Sequence, residues 1–502
     1  MLQEMRNIML LMGINRMIFK ILMITFVILF IYSNAITTEV SGQVSGVWEK
    51  SKSPYYIIDD IIVLQNDSLT IEPGVNIIFN GNYDLNIQGS LYAIGTVTDS
   101  IRFSSPQTWK SIRLENEEIK SYFQHAVISD ATTAIHSIGA PFEISYSRIY
   151  NIHENAINCF GINNPAEIYI HENIIHDIAR SAIQINQNSN VNIERNLISF
   201  CGKSLMFMGA IHISNQTANG ESNPTIYSNK ISNNIRQGIT AWDITNNSRV
   251  NPIIQDNIIE DNYTGIYLLH SSGYVKNNIV KNNYVSGDAN SGAGIMISGA
   301  SARPIITRNT ITGNYTGFFI VDNAVPIIGN YENPLDANTI MNNIDATNKD
   351  WSIYLFNSSE DIDARVNIFT TNDIDLISES IFDKNDNPTL GLVNFSGFLD
   401  WVKNEDISKP ITTFDVNLYP NPIVLNKRNE VKFDISLSKE ENIEIIIYNV
   451  RGQKIDTIYS GMPDSKRFYV NMNLNLASGV YFYKMLSNDY TITKKFIVIK
   501  GA

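Results

Sequence analysis

Between residues 140 and 345 the chain repeats one arrangement of apolar and polar positions. An aliphatic residue is followed by two variable residues, asparagine, one variable residue and a second aliphatic residue. The copies are Ile170–Asn173–Ile175, Ile193–Asn196–Ile198, Ile226–Asn229–Ile231, Ile254–Asn257–Ile259, Val275–Asn278–Val280 and Ile306–Asn309–Ile311. Asn338–Ile340 continues the series, and Ile144–Ser147–Ile149 is an earlier copy with serine in the asparagine slot. A second asparagine follows five residues after the first at Asn234, Asn262, Asn283, Asn314 and Asn343, and Cys201 fills that slot once. Each copy leads into a short alternating segment opened by a small residue, such as Ala182-Ile183-Gln184-Ile185, Ala210-Ile211-His212-Ile213, Gly238-Ile239-Thr240-Ala241 and Gly265-Ile266-Tyr267-Leu268. Alternation buries one face of a strand, and short β-branched runs between Gly, Asn and Pro favour strands over helices. Pro224, Pro252 and Pro304 stand five residues before a repeat asparagine, at strand starts where a missing N–H is tolerated.

A cycle of about 25 residues holding two or three short strands predicts one lap of a coil. Equivalent strands then pair in parallel, about 4.8 Å apart, and equivalent asparagines stack at the corners. The asparagines are expected to take the left-handed backbone that a sharp corner needs. A single lap cannot bury its apolar face, so stability is a sum over neighbouring laps. On these residues the chain resembles the pectate-lyase-like right-handed parallel β-helix superfamily, over residues of about 60–400. Ser68-Leu69-Thr70-Ile71-Glu72-Pro73-Gly74-Val75 with Ile77-Ile78-Phe79 resembles the opening coil. Asp363–Asn367 through Leu390–Phe395 resembles the closing one, with a short helix expected over Asp375–Phe382 to cover the open end. The resemblance implies a fold and leaves activity open, since that fold carries lyases, hydrolases, epimerases, adhesins and non-catalytic proteins. If the chain is an enzyme, the resemblance implies a polysaccharide lyase or a glycoside hydrolase. Calcium as a cofactor is implied by the resemblance alone.

The two ends read differently. Arg16 and Lys20 precede an apolar run from Ile21 to Tyr32 that ends in Ser33-Asn34-Ala35, the pattern of a secretory signal peptide over 1–35, with Met17 as an alternative start. The run is short for a membrane span, and no later run is expected to span a membrane in the mature chain. The β-helix is expected over 36–400 and a polar linker over 401–414. After it come Tyr419-Pro420-Asn421-Pro422, strands at 430–437 and 442–449, the turn Val450-Arg451-Gly452-Gln453, Ala477-Ser478-Gly479-Val480-Tyr481-Phe482-Tyr483 and Lys494–Lys500. About seven short strands predict a small β-sandwich over 415–502. This ordered set resembles the type A C-terminal sorting domain of type IX secretion cargo. The resemblance implies the type IX translocon as partner, and export through the periplasm to the outer surface or the medium.

Composition narrows the function classes. A net charge of −13 repels phosphate backbones and argues against nucleic acid as partner. The two cysteines, Cys159 and Cys201, are too few for a disulfide scaffold and read as buried small apolar residues. The outward positions of the small-opened strands read His136, Asn158, Gln184, His212, Thr240, Tyr267, Met296 and Phe319. The next outward column reads Ile138, Phe160, Asn186, Ser214, Trp242, Leu269, Ser298 and Val321. Neither column holds a carboxylate, which counts against glycosidase chemistry on that face. Longer excursions at 214–223, 243–251 and 284–293 surround the middle laps, with Asp288 in the last. There Asp243, His270 and Arg236 are the catalytic candidates, as acid–base or charge-stabilising groups. Trp242, Tyr267 and His212 are the substrate-binding candidates, the aromatics by stacking on sugar faces. Each also has a plainer reading: loop packing for Trp242 and Tyr267, solvated surface for His212 and His270, a turn cap for Asp243. No metal-ligand spacing or phosphate loop is present in the sequence. Two functions fit: a surface β-helix that binds and processes polysaccharide, and a non-catalytic structural or adhesive surface protein.

Overall fold

The computed structural model describes residues 38–399 without 162–166, 188, 190, 204–207, 216–219, 248 and 285–291. Further on it describes 415–419, 423–425, 430–437, 441–463, 467–473, 476–487 and 491–500. The expected signal peptide, the expected linker at 401–414 and Asp288 lie outside the described residues. The chain divides into two compact units, Met1–Trp401 and Val402–Ala502.

The first unit is a parallel solenoid with three ladders, one strand of each per lap. In a representative lap Ile168–His171 lies in the first ladder, Ile174–Ile178 in the second and Ile183–Ile185 in the third. The first ladder has 14 strands, from Gly46–Trp48 to Val393–Asn394. The second and third meet at the long strand Tyr55–Val63. Its first half pairs with Asn76–Phe79 and its second half with Asp84–Ile87. Thr38–Gln43 and Gly46–Trp48 pair in parallel with Tyr55–Val63 and Ser68–Ile71, so the coil begins a lap before the expected opening at Ser68. Alternate strand residues point inward, and one apolar core runs unbroken from Val44 to Val393. Burying each Ile or Val of that core contributes about 1.5–3 kcal/mol.

The repeat asparagines form two internal hydrogen-bonded columns. Asn173, Asn196, Asn229, Asn257, Asn278, Asn309, Asn338 and Asn367 stack at the corner between the first two ladders. Asn257 Oδ1 accepts from the backbone N–H of Asn229 at 2.8 Å and from its Nδ2 at 3.0 Å. Asn257 Nδ2 donates onward to Asn278 Oδ1 and to the carbonyl of Ile226, 2.9 Å each. Asn234, Asn262, Asn283, Asn314 and Asn343 repeat the arrangement at the next corner. The left-handed turn was expected at the asparagines themselves. It falls one residue earlier, at Glu172, Arg195, Ser228, Asp256, Asn277 and Arg308, with φ between 52° and 59°. The ladder asparagine is thus selected for its amide, and the preceding residue bears the strain.

The small strand openers have a steric cause. A Cβ on Gly265 would lie 2.5 Å from the carbonyl oxygen of Gly294, 2.5 Å from Val280 Cγ1 and 3.0 Å from Asn283 Nδ2. Gly238, Gly294 and Gly317 face the equivalent atoms of their neighbours.

Cys159 and Cys201 are free and buried, and burial pushes the Cys201 thiol up to about 12. At the far end a helix covers Ile374–Glu379, shorter than the expected 375–382. Ser380 closes it, and Ile381–Phe382 rejoins the third ladder against Ile353–Tyr354.

The second unit is a small β-domain. A three-stranded antiparallel sheet holds Asp415–Tyr419, Glu430–Ser436 and Arg467–Asn473. A five-stranded sheet holds Ile423–Leu425, Ile443–Asn449, Lys454–Gly461, Gly479–Leu486 and Thr491–Lys500. Residues of both sheets share one core around Phe433, Ile445, Tyr483 and Phe496. The Tyr483 hydroxyl donates to the carbonyl of Val416 at 3.2 Å and ties the sheets together. At the turn, Asn449 Oδ1 accepts from the N–H groups of Arg451 and Gln453, with Gly452 at φ 75°. Among the described residues no helix is long and apolar enough to cross a membrane.

Candidate functional site

The outer face of the third ladder carries the candidate residues because its register is unbroken. His136 pairs with Asn158, Asn158 with Gln184, Gln184 with His212, His212 with Thr240, and Thr240 with Tyr267. Each step is one rung, about 4.8 Å. The neighbouring outward column runs Ser214–Trp242–Leu269–Ser298. The amides interlock: Asn186 Nδ2 donates to Asn158 Oδ1 at 2.8 Å, and Gln184 Nε2 donates to Asn186 Oδ1 at 3.2 Å.

Outward direction does not mean exposure on this face. His212, expected on the solvated surface, is 2% exposed, and Tyr267 is 7% exposed. Burial holds the His212 imidazole down at about 4. His212 Nδ1, Thr240 Oγ1 and Gln184 Oε1, on three successive rungs, are buried without a hydrogen-bond partner among the described residues. An unpaired buried polar atom costs about 1–3 kcal/mol, so this row is an energetic liability to the fold. Trp242 is half-buried in the adjacent column.

His212 also predicts a pH dependence. Its folded value lies below the ordinary 6.5, so between about pH 6.5 and pH 4 the unfolded chain binds a proton that the folded chain does not. Stability contributed by the neutral form is therefore full above pH 6.5 and is lost as pH falls towards 4, on the order of 2–3 kcal/mol. His212→Gln is expected to flatten that part of the stability profile. Denaturant midpoints measured at pH 7 and pH 5 test this, and an unchanged drop in the variant would refute it.

The catalytic candidates Asp243, His270 and Arg236 each contact other groups. Asp243 is fully buried at the end of its strand. Its Oδ1 accepts from the backbone N–H of Thr245 at 2.8 Å and from Thr245 Oγ1 at 2.6 Å, and its Oδ2 accepts from the N–H of Arg249 at 2.6 Å. Burial raises its proton affinity, but these hydrogen bonds outweigh burial and leave the carboxyl below its usual range. Asp243 braces the loop after Ile239–Asp243. Arg236 precedes the same strand at its other end, beside Tyr263, whose ring centroid lies 6.0 Å from the guanidinium carbon. His270 Nδ1 lies 3.2 Å from Ser301 Oγ, and its ring packs so closely on Gly299 that a Cβ there would fall 2.2 Å from Nδ1.

Extending the column upstream adds residues that the sequence pattern concealed. Asn86 pairs with Arg113, and Arg113 with His136. Around them Arg113 pairs with Glu115, Lys110 Nζ lies 3.4 Å from Asp84 and 3.7 Å from Asp60, and Ser111 Oγ donates to Asp84 at 2.9 Å. Burial, then Arg113, lowers the His136 imidazole. The face thus has a charged end, an amide and hydroxyl middle and, beyond Tyr267, an aromatic end. The signal for the charged end was the alternation in Leu85-Asn86-Ile87 and Ile112-Arg113-Leu114. It was hidden because Asp84 and Ser111 occupy the slot where later laps have Ala or Gly.

Residues 55–302 match the family model described as a right handed beta helix region. Residues 417–500 match the model described as a secretion system C-terminal sorting domain. The chain is a right-handed β-helix with a secretion sorting tail. Through that tail this β-helix protein is handled by type IX secretion and reaches the cell surface or the medium. A stretch of 85 residues is 44% identical to Protein bark beetle of Drosophila melanogaster, covering 16% of this chain and 3% of that protein. Among solved structures, the A-module of mannuronan C-5 epimerase AlgE4 from Azotobacter vinelandii aligns over 58% of this chain and 86% of its own, with 10% identity and a TM-score of 0.30.

Calcium, raised by the family resemblance, needs six to eight converging oxygen ligands. Among the described residues no three His, Cys, Asp or Glu side chains are grouped to hold a metal ion.

Proposed function

We propose that this exported β-helix protein binds polysaccharide at the cell surface, along the outer face of its third ladder. The observation that carries the reading is the register of that face. Along its rungs the half-buried Asn86, Arg113, His136 and Asn158 stand at one end, Trp242 at the middle and Met296, Tyr354 and Phe382 at the other, a line suited to an extended chain of sugars. The second ladder offers instead a column that mixes Arg148, Ile174, Leu197, Lys230, Ile258 and Ile279. Arg113 with Glu115, and Lys110 with Asp84, put paired charges on the proposed face, which favours recognition over a plain structural rod. Asp243 is engaged in bracing its loop, so the reading is of binding, without a catalytic pair built from Asp243, His270 or Arg236.

Trp242→Ala is expected to reduce retention on a glycan array about tenfold, the loss of one stacked aromatic contact of roughly 1–1.5 kcal/mol. Equal retention of wild type and variant across the array, or none by either, would favour the rod, in which the coil serves only as a spacer or adhesive scaffold.

A further inference from the structure

The glycan itself can be narrowed by following the face beyond Tyr267, and this inference rests on the reading above. The column continues through Met296, Phe319, Tyr354 and Phe382. Ring centroids of Phe319 and Tyr354 are 5.7 Å apart, and those of Tyr354 and Phe382 are 4.5 Å apart with planes inclined by 10°. Trp351 sets its ring edge-on to Tyr354 at 5.1 Å and 82°. Phe356, 52% exposed, lies 6.2 Å from Phe319 in the adjoining column. Phe319 is 7% exposed, whereas Tyr354, Phe382 and Trp351 are half-buried, so ring surface reaches solvent over two successive laps.

The polar groups against this strip are mainly acidic. Asp345 Oδ2 accepts from Trp351 Nε1 at 3.0 Å. Asp322 Oδ1 accepts from Asn357 Nδ2 at 2.7 Å, and its charge acts on Tyr267. The charge of Asp386 acts on Tyr354. Lys349 Nζ sits 3.8 Å from the Trp351 ring centroid, so its cation is held on that ring. At the other end of the face, Arg113 and Lys110 are matched by Glu115, Asp84 and Asp60. A polyuronate laid along this face would bring its carboxylates against Asp322, Asp345 and Asp386, with repulsion at each approach. An uncharged chain meets no such barrier. Its apolar C–H faces suit aromatic rings, and its hydroxyls suit the half-buried amide of Asn158.

We infer that the ligand is an uncharged glycan, seated with its sugar faces on Tyr354, Phe382 and Phe356. The test uses the full-length protein in affinity electrophoresis against neutral polysaccharides (laminarin, xyloglucan, galactomannan) and polyuronates (polygalacturonate, alginate), at low and at physiological salt. The expected result is retardation by at least one neutral chain, insensitive to salt and weakened tenfold or more in Tyr354→Ala. Phe356→Ala, at an exposed ring whose loss leaves the fold intact, is expected to weaken it at least fivefold. Retardation by polyuronates alone, or neutral binding untouched by either substitution, would overturn the inference while leaving the glycan-binding reading in place. Binding to neither class would remove the reading on which it rests.

Discussion

Asn257→Ala is expected to lower the unfolding free energy by about 3–4 kcal/mol, because several buried groups lose their partners together and each costs about 1–3 kcal/mol. Asn257 is 1% exposed and sits inside a column with asparagine on both sides. Truncation leaves the N–H of Asn229 without its acceptor, takes from Asn229 Nδ2 one acceptor beside the carbonyls of Ile193 and Tyr227, and removes a donor from Asn278 Oδ1 and from the carbonyls of Ile226 and Gln255. No water-sized route to these atoms is needed in the folded coil, since the amide supplies every bond. Lys276→Ala, one lap away on an outward position, is the control and is expected to change stability by no more than about 0.5 kcal/mol. Guanidinium midpoints of the two variants decide the matter. If Asn257→Ala unfolds with the wild-type midpoint, the column is decoration and the corner is held by the backbone alone.

Gly265→Ala is expected to destabilise by about 2–3 kcal/mol through overpacking, and Gly265→Val by more. In an unhindered site the same change to alanine would gain about 0.4–1 kcal/mol by restricting the unfolded chain. Here the added carbon meets a backbone carbonyl and a core methyl, both at 2.5 Å, and neither is the tip of a flexible side chain. The steric term therefore wins, and the sign of the effect is the diagnostic. Thermal unfolding followed by circular dichroism reads it directly, and a raised midpoint for Gly265→Ala would show that neighbouring laps can separate at no cost.

The asparagine cycle made the coil legible because a solenoid converts sequence period into spatial register. Ile170–Asn173–Ile175 and Ile193–Asn196–Ile198 look alike in sequence because they lie on top of one another. The first lap lies inside the expected 36–400 span, but its own repeat was not legible, for the opposite reason. Thr38–Gln43 is Thr-Glu-Val-Ser-Gly-Gln, mostly exposed, and shows no apolar alternation. Corner geometry was misassigned by one residue, since an amide chosen for its hydrogen bonds looks in sequence like one chosen for its backbone. The candidate site was legible in direction only. Alternation correctly placed His212, Thr240 and Tyr267 on one outward column, but it says nothing of what loops do above that column, and all three prove buried. Asp243 illustrates the same limit: a lone acid near aromatics looks catalytic until its lone pairs are counted, and Thr245 and Arg249 occupy them.

Because the columns repeat one donor–acceptor pattern from Asn173 to Asn367, every lap ends with the same unfilled oxygen and nitrogen with which it began. A segment cut between equivalent asparagines, such as 229–256, would leave edges that match each other. Molecular length is then a quantity that gene duplication or loss can adjust in whole laps, without redesigning either end.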